Sequence, residues 1–265
     1  MILPNSLRAV LDSGKPSIGT HFMFSDPDIP ELIGDLGLFD YGEYSAEYAA
    51  FDLPLLYNLA RAAQAGGLPL MIKPDQASQT FVTQGALGAG FKAVLFTDIR
   101  TPSDVEQAHY ALRPDQPGHN GSMGVKLRRP ALSSYDTGSY LKDLESIVFC
   151  IMIEKAVAVD DLDAILARSK ALGVDMIQWG PADFSFSRGE PELQHSEAIR
   201  PFESKVIEKS IEHGLLPRIE LGSVEQAKRY VDMGVRHFCI GWDRFILRQQ
   251  LHTLGEGMRK LTDGL

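Results

Sequence analysis

Phe149-Cys-Ile-Met-Ile-Glu154 and Asp175-Met-Ile-Gln-Trp-Gly-Pro-Ala-Asp183 each combine a short apolar run of strand length with a carboxylate at its end. The roughly twenty residues between them have the pattern of a helix. A helix that joins two buried strands makes them parallel neighbours, so both carboxylates leave the same edge of one sheet. In a closed eight-stranded α/β barrel, active sites are built at that edge.

Glu154 and Asp183 are therefore candidate ligands of a hard divalent cation, Mg²⁺ or Mn²⁺, because such ions prefer oxygen and keep positions open for water or substrate. Gly180 supports this interpretation, since glycine lets the backbone approach a ligand and the amides that follow can hold a carboxylate. A purely structural alternative stays open. Asp183 could cap the turn that follows it, and Glu154 could pair with Lys155 or Arg168.

The rest of the chain alternates strand-like and helix-like segments. Apolar, β-prone runs lie at about 17–23, 38–44, 68–73, 91–96, 148–153, 174–179, 215–220 and 236–241. Helical patterns separate them, for example from Leu53 to the glycine at 66 and from Val224 to the glycine at 234. Eight such repeats predict the α/β class and a (β/α)8 TIM barrel, with a doubly wound open sheet as the alternative.

Residues 1–265 are predicted to form one barrel domain, since such a barrel takes about 250 residues. A leading helix at about 4–13 is expected to close the bottom of the barrel. The alternation breaks at about 114–147, where turn residues are frequent and Lys126-Leu-Arg-Arg-Pro adds a basic cluster. This excursion is expected to be either a lid or subunit contact, or a plain surface loop.

Composition restricts the partners. Hydrophobic residues make up 44% and charged residues 23%, as in an ordinary soluble globular protein. The net charge of -9 argues against nucleic acid or an anionic membrane as the main partner. Cys150 and Cys239 lie in apolar runs and are expected to be buried thiols. Without a leader-like or membrane-length apolar run, the protein is expected to be soluble and cytoplasmic.

From about Ser17 to Leu247, the sequence resembles the HpcH/HpaI-type metal-dependent pyruvate aldolases, the family of the 4-hydroxy-2-oxoheptanedioate and 2-dehydro-3-deoxyglucarate aldolases. The landmarks, in family order, are Phe39-Asp40-Tyr41, Ala46-Glu47, Ile72-Lys73-Pro74, Gly90-Phe-Lys-Ala-Val, Ile153-Glu154, Gly180-Pro-Ala-Asp183 and Gly241-Trp-Asp243. The resemblance implies a lyase that cleaves 4-hydroxy-2-oxo acids to pyruvate and an aldehyde, or runs the reverse addition, through a metal-bound pyruvate enolate.

The resemblance also implies roles for single residues. Glu154 and Asp183 would be the two protein ligands of the cation. In the loop that begins with Gly180 and Pro181, the amides of Ala182 and Asp183 would hold the carboxylate of pyruvate. The partners would be a small 2-oxo acid and an aldehyde.

Four positions depart from the family pattern. Tyr48 stands where the family has its catalytic histidine, and Gly88 stands where that histidine has its aspartate partner. Lys73 replaces the arginine that binds the keto oxygen, and Met152 replaces a glutamine two residues before the metal-binding glutamate. The base of this protein must therefore differ from the usual one.

Two residues are candidates for that base. Tyr48, which follows Glu47, could act directly if Lys73 and the metal lower the pKa of its phenol. His21 lies near the end of the first strand, where the family has a tryptophan that faces the site, and histidine suits proton transfer near neutrality. The structural alternatives are a packing phenol and a hydrogen-bonded histidine at the barrel end.

Further site residues have more than one interpretation. Lys73 could polarise the keto oxygen, pair with Glu47, or form a Schiff base with the substrate. Glu220 and Arg218 point to the same side of the seventh strand. Glu220 could contact substrate or stabilise Lys73, or it could form a salt bridge with Arg218. Asp243 is expected to cap the last helix.

Other activities and assemblies remain open at this stage. A citryl- or malyl-CoA lyase-like cleavage and oxaloacetate decarboxylation would use the same metal and enolate, and the non-enzymatic alternative is a lapsed barrel that only binds a ligand. The last helix, about 244–260, carries an apolar stripe that is more often intramolecular core than interface. The resemblance implies a homo-oligomer, a trimer or a hexamer with an exchanged terminal helix.

Overall fold

Eight parallel strands close into one barrel in chain order. The structure, a computed structural model, describes residues 4–125 and 136–265. The strands are β1 Ser17–Phe22, β2 Tyr41–Ser45, β3 Leu70–Lys73, β4 Ala93–Ile99, β5 Val148–Ile153, β6 Met176–Trp179, β7 Leu216–Leu221 and β8 His237–Trp242. The predicted (β/α)8 TIM barrel is confirmed, since pairing of β1 with β8 closes the sheet.

Helices surround the barrel and begin and end at recognisable signals. They are α1 Ser6–Asp12, α2 Asp28–Asp35, α3 Leu53–Ala65, α4 Gln79–Ala89, α5 Pro102–Leu112, α6 Thr137–Glu145, α7 Ala156–Asp160, α8 Leu162–Ala171, α9 Pro181–Ser187, α10 Arg200–Glu212, α11 Ala227–Asp232 and α12 Asp243–Thr262. Asp52 caps α3 by accepting a hydrogen bond from the Leu55 N–H at 2.7 Å. Gly90 ends α4 in the left-handed region, with φ of 119°.

The bottom of the barrel is apolar and is closed by α1. Leu7 and Leu11 pack into a buried cluster with barrel-lining residues such as Met71. Arg8 fixes the helix in place through a bidentate pair with Asp175, with both N–O distances 2.7 Å. The predicted role of the leading helix is therefore confirmed.

A buried ionic layer lies above this apolar floor. The Arg218 guanidinium pairs with Glu43, and its Nε donates to the Tyr41 hydroxyl at 2.7 Å. A Cβ on Gly19 would lie 2.2 Å from the Tyr41 ring, so glycine is needed where that ring crosses the barrel. A buried cation is tolerated when it is paired and hydrogen-bonded. This layer forms the base on which the functional site is built.

The excursion at 114–147 contains a helix that the sequence did not predict. Asp136 caps α6 by accepting from the Ser139 N–H at 2.7 Å, and Tyr140 lies on its buried face. The described end of the excursion lies at the bottom of the barrel, where the Asn5 amide donates to the Ser146 carbonyl at 2.8 Å. The basic cluster Lys126-Leu-Arg-Arg-Pro lies outside the described residues, so the lid or subunit contact stays a prediction.

The last helix corrects two expectations. No side chain of α12 is buried, and its apolar stripe is about half exposed. The interpretation of that stripe as intramolecular core is therefore wrong. Asp243 is also not the N-cap of α12, because it is the first helical residue and Trp242 holds the N-cap position. Its Oδ2 accepts from the N–H groups of Met23 and Phe24, 2.9 and 2.8 Å away. This carboxylate ties the end of β1 to the end of β8.

Among the described helices, none combines the length and apolar character needed to cross a membrane.

Candidate active site

A cavity of about 440 Å³ opens at the carboxyl-terminal edge of the barrel. It collects nearly every site residue predicted from the sequence: His21, Tyr48, Lys73, Glu154, Gly180, Pro181, Ala182, Asp183 and Glu220. Glu47 joins this group through Lys73, since the Lys73 Nζ lies 2.7 Å from Glu47 Oε2. The active-site edge of a barrel is where such a convergence is expected.

Glu154 is a buried carboxylate held by backbone. Its Oε1 accepts the Asp98 N–H at 2.8 Å, and its Oε2 would lie 2.6 Å from a Cβ on Gly180, so only glycine fits there. Burial raises the pKa of Glu154 to about 7, and the nearby carboxylates of Asp183 and Asp98 add to that rise, whereas the Asp98 N–H and Lys73 oppose it. The carboxylate is poised to gain a positive partner.

Lys155 links Asp183 to Asp98. Its Nζ lies 2.7 Å from Asp183 Oδ1 and 2.5 Å from Asp98 Oδ1. Asp98 has a positive φ of 59°, a backbone conformation that Asp tolerates better than most residues. The suggested pairing of Lys155 or Arg168 with Glu154 is wrong, because Lys155 contacts these aspartates and Arg168 contacts Glu106.

The donor set of Glu154 and Asp183 suits a hard divalent cation. Both carboxylates line the same cavity, and Asp183 remains 41% exposed, so water or substrate can reach it. A second cluster of donors comprises His21, Glu43 and Glu220, whose ligand atoms lie within 4.8 Å of one another. Because Glu43 is already neutralised by the Arg218 guanidinium, a cation there would face a buried positive charge.

Asp183 lies in the first turn of α9, not at its cap. The N-cap residue is Gly180, and the first helical hydrogen bond runs from the Phe184 N–H to the Gly180 carbonyl. The alternative that Asp183 caps this turn is therefore wrong. The N–H groups of the first turn, those of Ala182 and Asp183, have no acceptor within the helix and can bind an anion.

Lys73 is buried and charged. Burial alone would lower its pKa, but Glu47, Tyr48 and Glu43 outweigh that effect and raise the pKa above the ordinary lysine value. A protonated amine cannot attack a carbonyl, so the Schiff-base interpretation is disfavoured. The pairing with Glu47 and the role of a fixed cation are compatible, because the same ammonium faces the cavity.

The pKa of the Tyr48 phenol is raised by the surrounding protein, whereas the sequence suggested that it could be lowered. Tyr48 is half exposed, and partial burial of its phenol is the main cause that raises the pKa to about 12. The carboxylates of Glu47 and Asp183 add to that rise, and Lys73 opposes it. The Lys73 ammonium lies 4.9 Å from the centre of its ring. The surrounding protein groups alone therefore do not acidify this phenol, and acidification by Lys73 together with a metal stays a prediction.

His21 is held in one orientation by two contacts. Its Nδ1 lies 3.2 Å from Glu220 Oε1, and its ring stacks on the indole of Trp242 with centroids 4.4 Å apart. Among the described residues, its buried Nε2 has no hydrogen-bond partner. A carboxylate only accepts hydrogen bonds, so Nδ1 carries the hydrogen and Nε2 keeps its lone pair in the neutral ring.

Glu220 remains an anion in this arrangement. Burial would raise its pKa, but its hydrogen bond and electrostatic interaction with His21, together with the charges of Arg218 and Lys73, lower that pKa. Its other oxygen, Oε2, lies 3.3 Å from the Gln178 amide nitrogen. The suggested salt bridge with Arg218 is wrong, since Arg218 pairs with Glu43.

Sequence reasoning missed several residues of the site. Asp98 and Lys155 hold Asp183, Trp242 stacks on His21, and Gln178 supports Glu220. Polar Gln178 in the apolar run before Gly180 was a usable signal, as was Lys155 directly after Glu154. Nothing in the local sequence marks Trp242 as a partner of His21.

The comparisons with known proteins agree with this architecture. A family model described as HpcH/HpaI aldolase/citrate lyase matches residues 44–248, more than three quarters of the chain. Curated relatives include the 5-keto-4-deoxy-D-glucarate aldolases of Escherichia coli O6:H1, 27% identical, and of Shigella boydii serotype 18, 26% identical. Each alignment covers 98% of this chain and 98% of the relative.

Solved structures of similar shape include an HpcH/HpaI aldolase/citrate lyase family protein from Burkholderia cenocepacia. It is 25% identical, with a TM-score of 0.84 over 96% of this chain and 100% of that one. The citrate synthase SbnG superposes with a TM-score of 0.84 at 22% identity, covering 98% of this chain and 100% of its own, and so shows the fold alone.

Proposed function

Because the chain belongs to the HpcH/HpaI aldolase/citrate lyase family, we propose that it is a divalent-metal-dependent aldolase. It would cleave 4-hydroxy-2-oxo acids to pyruvate and an aldehyde, or add pyruvate to the aldehyde in the reverse direction. One observation carries the proposal. Glu154 and Asp183 line the same cavity as Lys73 and the amide-bearing turn at Ala182. Two carboxylates, a fixed cation and free amides are what a 2-oxo acid and its cation require.

Glu154 and Asp183 would hold Mg²⁺ or Mn²⁺. When bound, such a cation supplies a Lewis acid that withdraws electron density from the keto group of a 2-oxo acid. Lys155 keeps Asp183 directed toward the cavity, and the Asp98 N–H does the same for Glu154. These contacts orient both ligands before any ion arrives.

The chain's own groups would hold the pyruvate half. The amides of Ala182 and Asp183 bind the substrate carboxylate, because they lie in the first turn of α9 and face an anion favourably. Lys73 supplies a positive charge at the oxygen on C2, where negative charge develops as the C–C bond breaks. Its ion pair with Glu47 keeps that ammonium in place.

His21 would act as the base. In cleavage, the C3–C4 bond breaks, its electron pair becomes that of the pyruvate enolate, and Nε2 of His21 takes the proton from the C4 hydroxyl as the aldehyde forms. A proton returned to C3 completes pyruvate. Glu220 acts as a positioning residue by fixing the tautomer of His21. Tyr48 is the weaker candidate, because burial raises the pKa of its phenol to about 12.

The exposed face of α12 supports a homo-oligomer, for which the family resemblance implies a trimer or a hexamer. The apolar residues of this face are Phe245, Ile246, Leu247, Leu251, Leu254, Met258 and Leu261, and each is 47% or more exposed. A contiguous apolar helix face of this kind is typical of a surface that a partner covers. A second copy of the chain, offering the same helix, would cover it.

The function is tested by pyruvate release from a 4-hydroxy-2-oxo acid. We expect turnover that stops with EDTA and returns with Mg²⁺ or Mn²⁺. Pyruvate alone, in D₂O with the metal, should exchange its methyl protons, since exchange needs only the enolate. Decarboxylation of oxaloacetate without aldol cleavage, or cleavage restricted to CoA thioesters, would contradict the proposal. Metal binding without turnover of any 2-oxo acid would identify a lapsed enzyme.

A further inference from the structure

One part of the cavity lining, beside the carboxylate pair, is mainly apolar and is called the apolar end here. It is formed by the ends of β7 and β8 and the first turn of α12, and its side chains include Leu221, Trp242, Phe245 and Ile246. The Phe245 ring meets the indole of Trp242 edge-on, with centroids 4.9 Å apart. These side chains form a wall that continues the ring stack on His21.

The balance of charge at this end disfavours an anion. Lys73 is the one lysine or arginine among the described residues that line the cavity, and its ammonium is already paired with Glu47. Next to Leu221, the lining carries the carboxylate of Glu220. A second carboxylate on the substrate would therefore meet a like charge and find no free cation.

Besides the Glu220 carboxylate and the Gln178 amide that contacts it, few polar side chains of the described lining are available for hydroxyls. The Trp242 indole N–H is buried without a hydrogen-bond partner among the described residues, and the Gln249 amide adds a second polar group at the rim. A chain of several hydroxyls would lose its water against Leu221 and Ile246 and recover few hydrogen bonds. That loss is unfavourable, whereas burial of an aryl or alkyl group there is favourable.

We propose that this end is the aldehyde subsite and that it selects an uncharged aldehyde with an aryl or branched alkyl group. The inference rests on the proposed function, in which the enolate forms beside Glu154 and Asp183. In the addition, C3 of the enolate bonds to the aldehyde carbon, and the former carbonyl oxygen takes the proton held by His21. The substituent on that carbon then lies against Trp242 and Ile246.

The test compares four aldehydes as acceptors when the metal-loaded enzyme adds pyruvate to them. We expect kcat/KM for benzaldehyde and isobutyraldehyde to exceed that for succinic semialdehyde and D-glyceraldehyde by about tenfold or more. Exchange of the pyruvate methyl protons in D₂O, without any aldehyde, is measured in parallel. An enzyme that exchanges these protons but prefers the charged or hydroxylated acceptors would overturn the subsite and leave the proposed function standing. Absence of exchange would overturn both.

Ile246→Arg provides a second measurement, and its mass is followed by light scattering because Ile246 also belongs to the apolar face of α12. A cation at the apolar end should shift the ratio of kcat/KM toward succinic semialdehyde by about tenfold, because it supplies the missing partner for the second carboxylate. Gln250→Arg is the matched control, since it adds the same charge to α12 at an exposed position outside the cavity lining. An equal ratio in the two variants would place the acceptor elsewhere.

Discussion

The ammonium nitrogen of Lys73 lies 2.7 Å from Oε2 of Glu47, inside the barrel mouth. Both side chains are largely buried, so the pair is shielded from water, and the pKa of Lys73 is raised despite its burial. This relationship favours the protonated form of Lys73. It is therefore suited to stabilise negative charge on an oxygen, and unsuited to form an imine.

Lys73 should not be trapped on pyruvate. Borohydride added to enzyme and pyruvate is expected to leave the intact mass unchanged, because the amine stays protonated. Lys73→Ala should lower kcat/KM by about 10² to 10³, the usual loss when one stabilising donor is removed, and Lys73→Arg should retain more activity. A reduced adduct on Lys73 would replace the metal-dependent mechanism with a Schiff-base one.

Loss of the base should affect one reaction and spare another. His21→Asn is expected to lower kcat of aldol cleavage by about 10² or more, since no group then takes the hydroxyl proton. Oxaloacetate decarboxylation requires no such proton transfer, so it should be retained. Tyr48→Phe is the matched comparison and should change cleavage by less than about threefold. A large effect of Tyr48→Phe alone would transfer the role of base to the phenol.

Metal affinity should fall as the pH falls. The pKa of Glu154 is raised to about 7 by burial, so protons compete with the cation below that pH, and the apparent Kd should rise by up to about tenfold per pH unit. Titration calorimetry with Mn²⁺ between pH 5.5 and about 8 measures this slope. Glu154→Gln should weaken binding by more than about 100-fold, whereas Glu106→Gln, at a surface ion pair, should not. Unchanged affinity in Glu154→Gln would remove it from the ligand set.

His237 should lower the free energy of unfolding at acidic pH. It is buried with Nδ1 2.9 Å from the Ser17 hydroxyl, and burial, aided by Arg236 and Arg218, lowers its pKa to about 4. The unfolded chain binds this proton below about pH 6.5, so between these values it holds more protons than the folded chain. The contribution of neutral His237 to the free energy of unfolding is complete above about pH 6.5 and is lost as the pH falls to about 4. It amounts to at most about 3 kcal/mol.

Denaturant unfolding across this range measures the effect of His237. His237→Asn should flatten the dependence of the unfolding free energy on pH between about 4 and 6.5. His252→Asn, at an exposed position of α12, should leave that dependence as it is. An unchanged slope in His237→Asn would assign the acid sensitivity to other groups.

The α12 face should hold an oligomer together. Leu251→Glu with Leu254→Glu is expected to shift the mass measured by light scattering toward the monomer, because charge is placed in an apolar contact. Thr253→Glu adds charge on another face of the same helix and should preserve the assembly. A monomeric wild-type protein would contradict the proposed homo-oligomer.

The sequence by itself determined the barrel and the location of the site. Continuous apolar runs such as Val148–Ile153 indicate strands buried on both faces, and eight alternations favour a closed barrel over the doubly wound open sheet. Because side chains that end neighbouring parallel strands share an edge, Glu154 and Asp183 could be placed together from spacing alone. These are local signals, and each depends on residues within about thirty positions of one another.

Only the tertiary structure decided which groups surround the substrate. His21 meets Glu220 across 199 positions, and the barrel closure between β1 and β8 brings His21 against Trp242. Such contacts depend on the strand register and on which side chains point inward, and no local pattern encodes the identity of the partner. The pKa shifts of Tyr48 and Lys73 are likewise not encoded in a local pattern, because a pKa is set by burial and by charges from other strands.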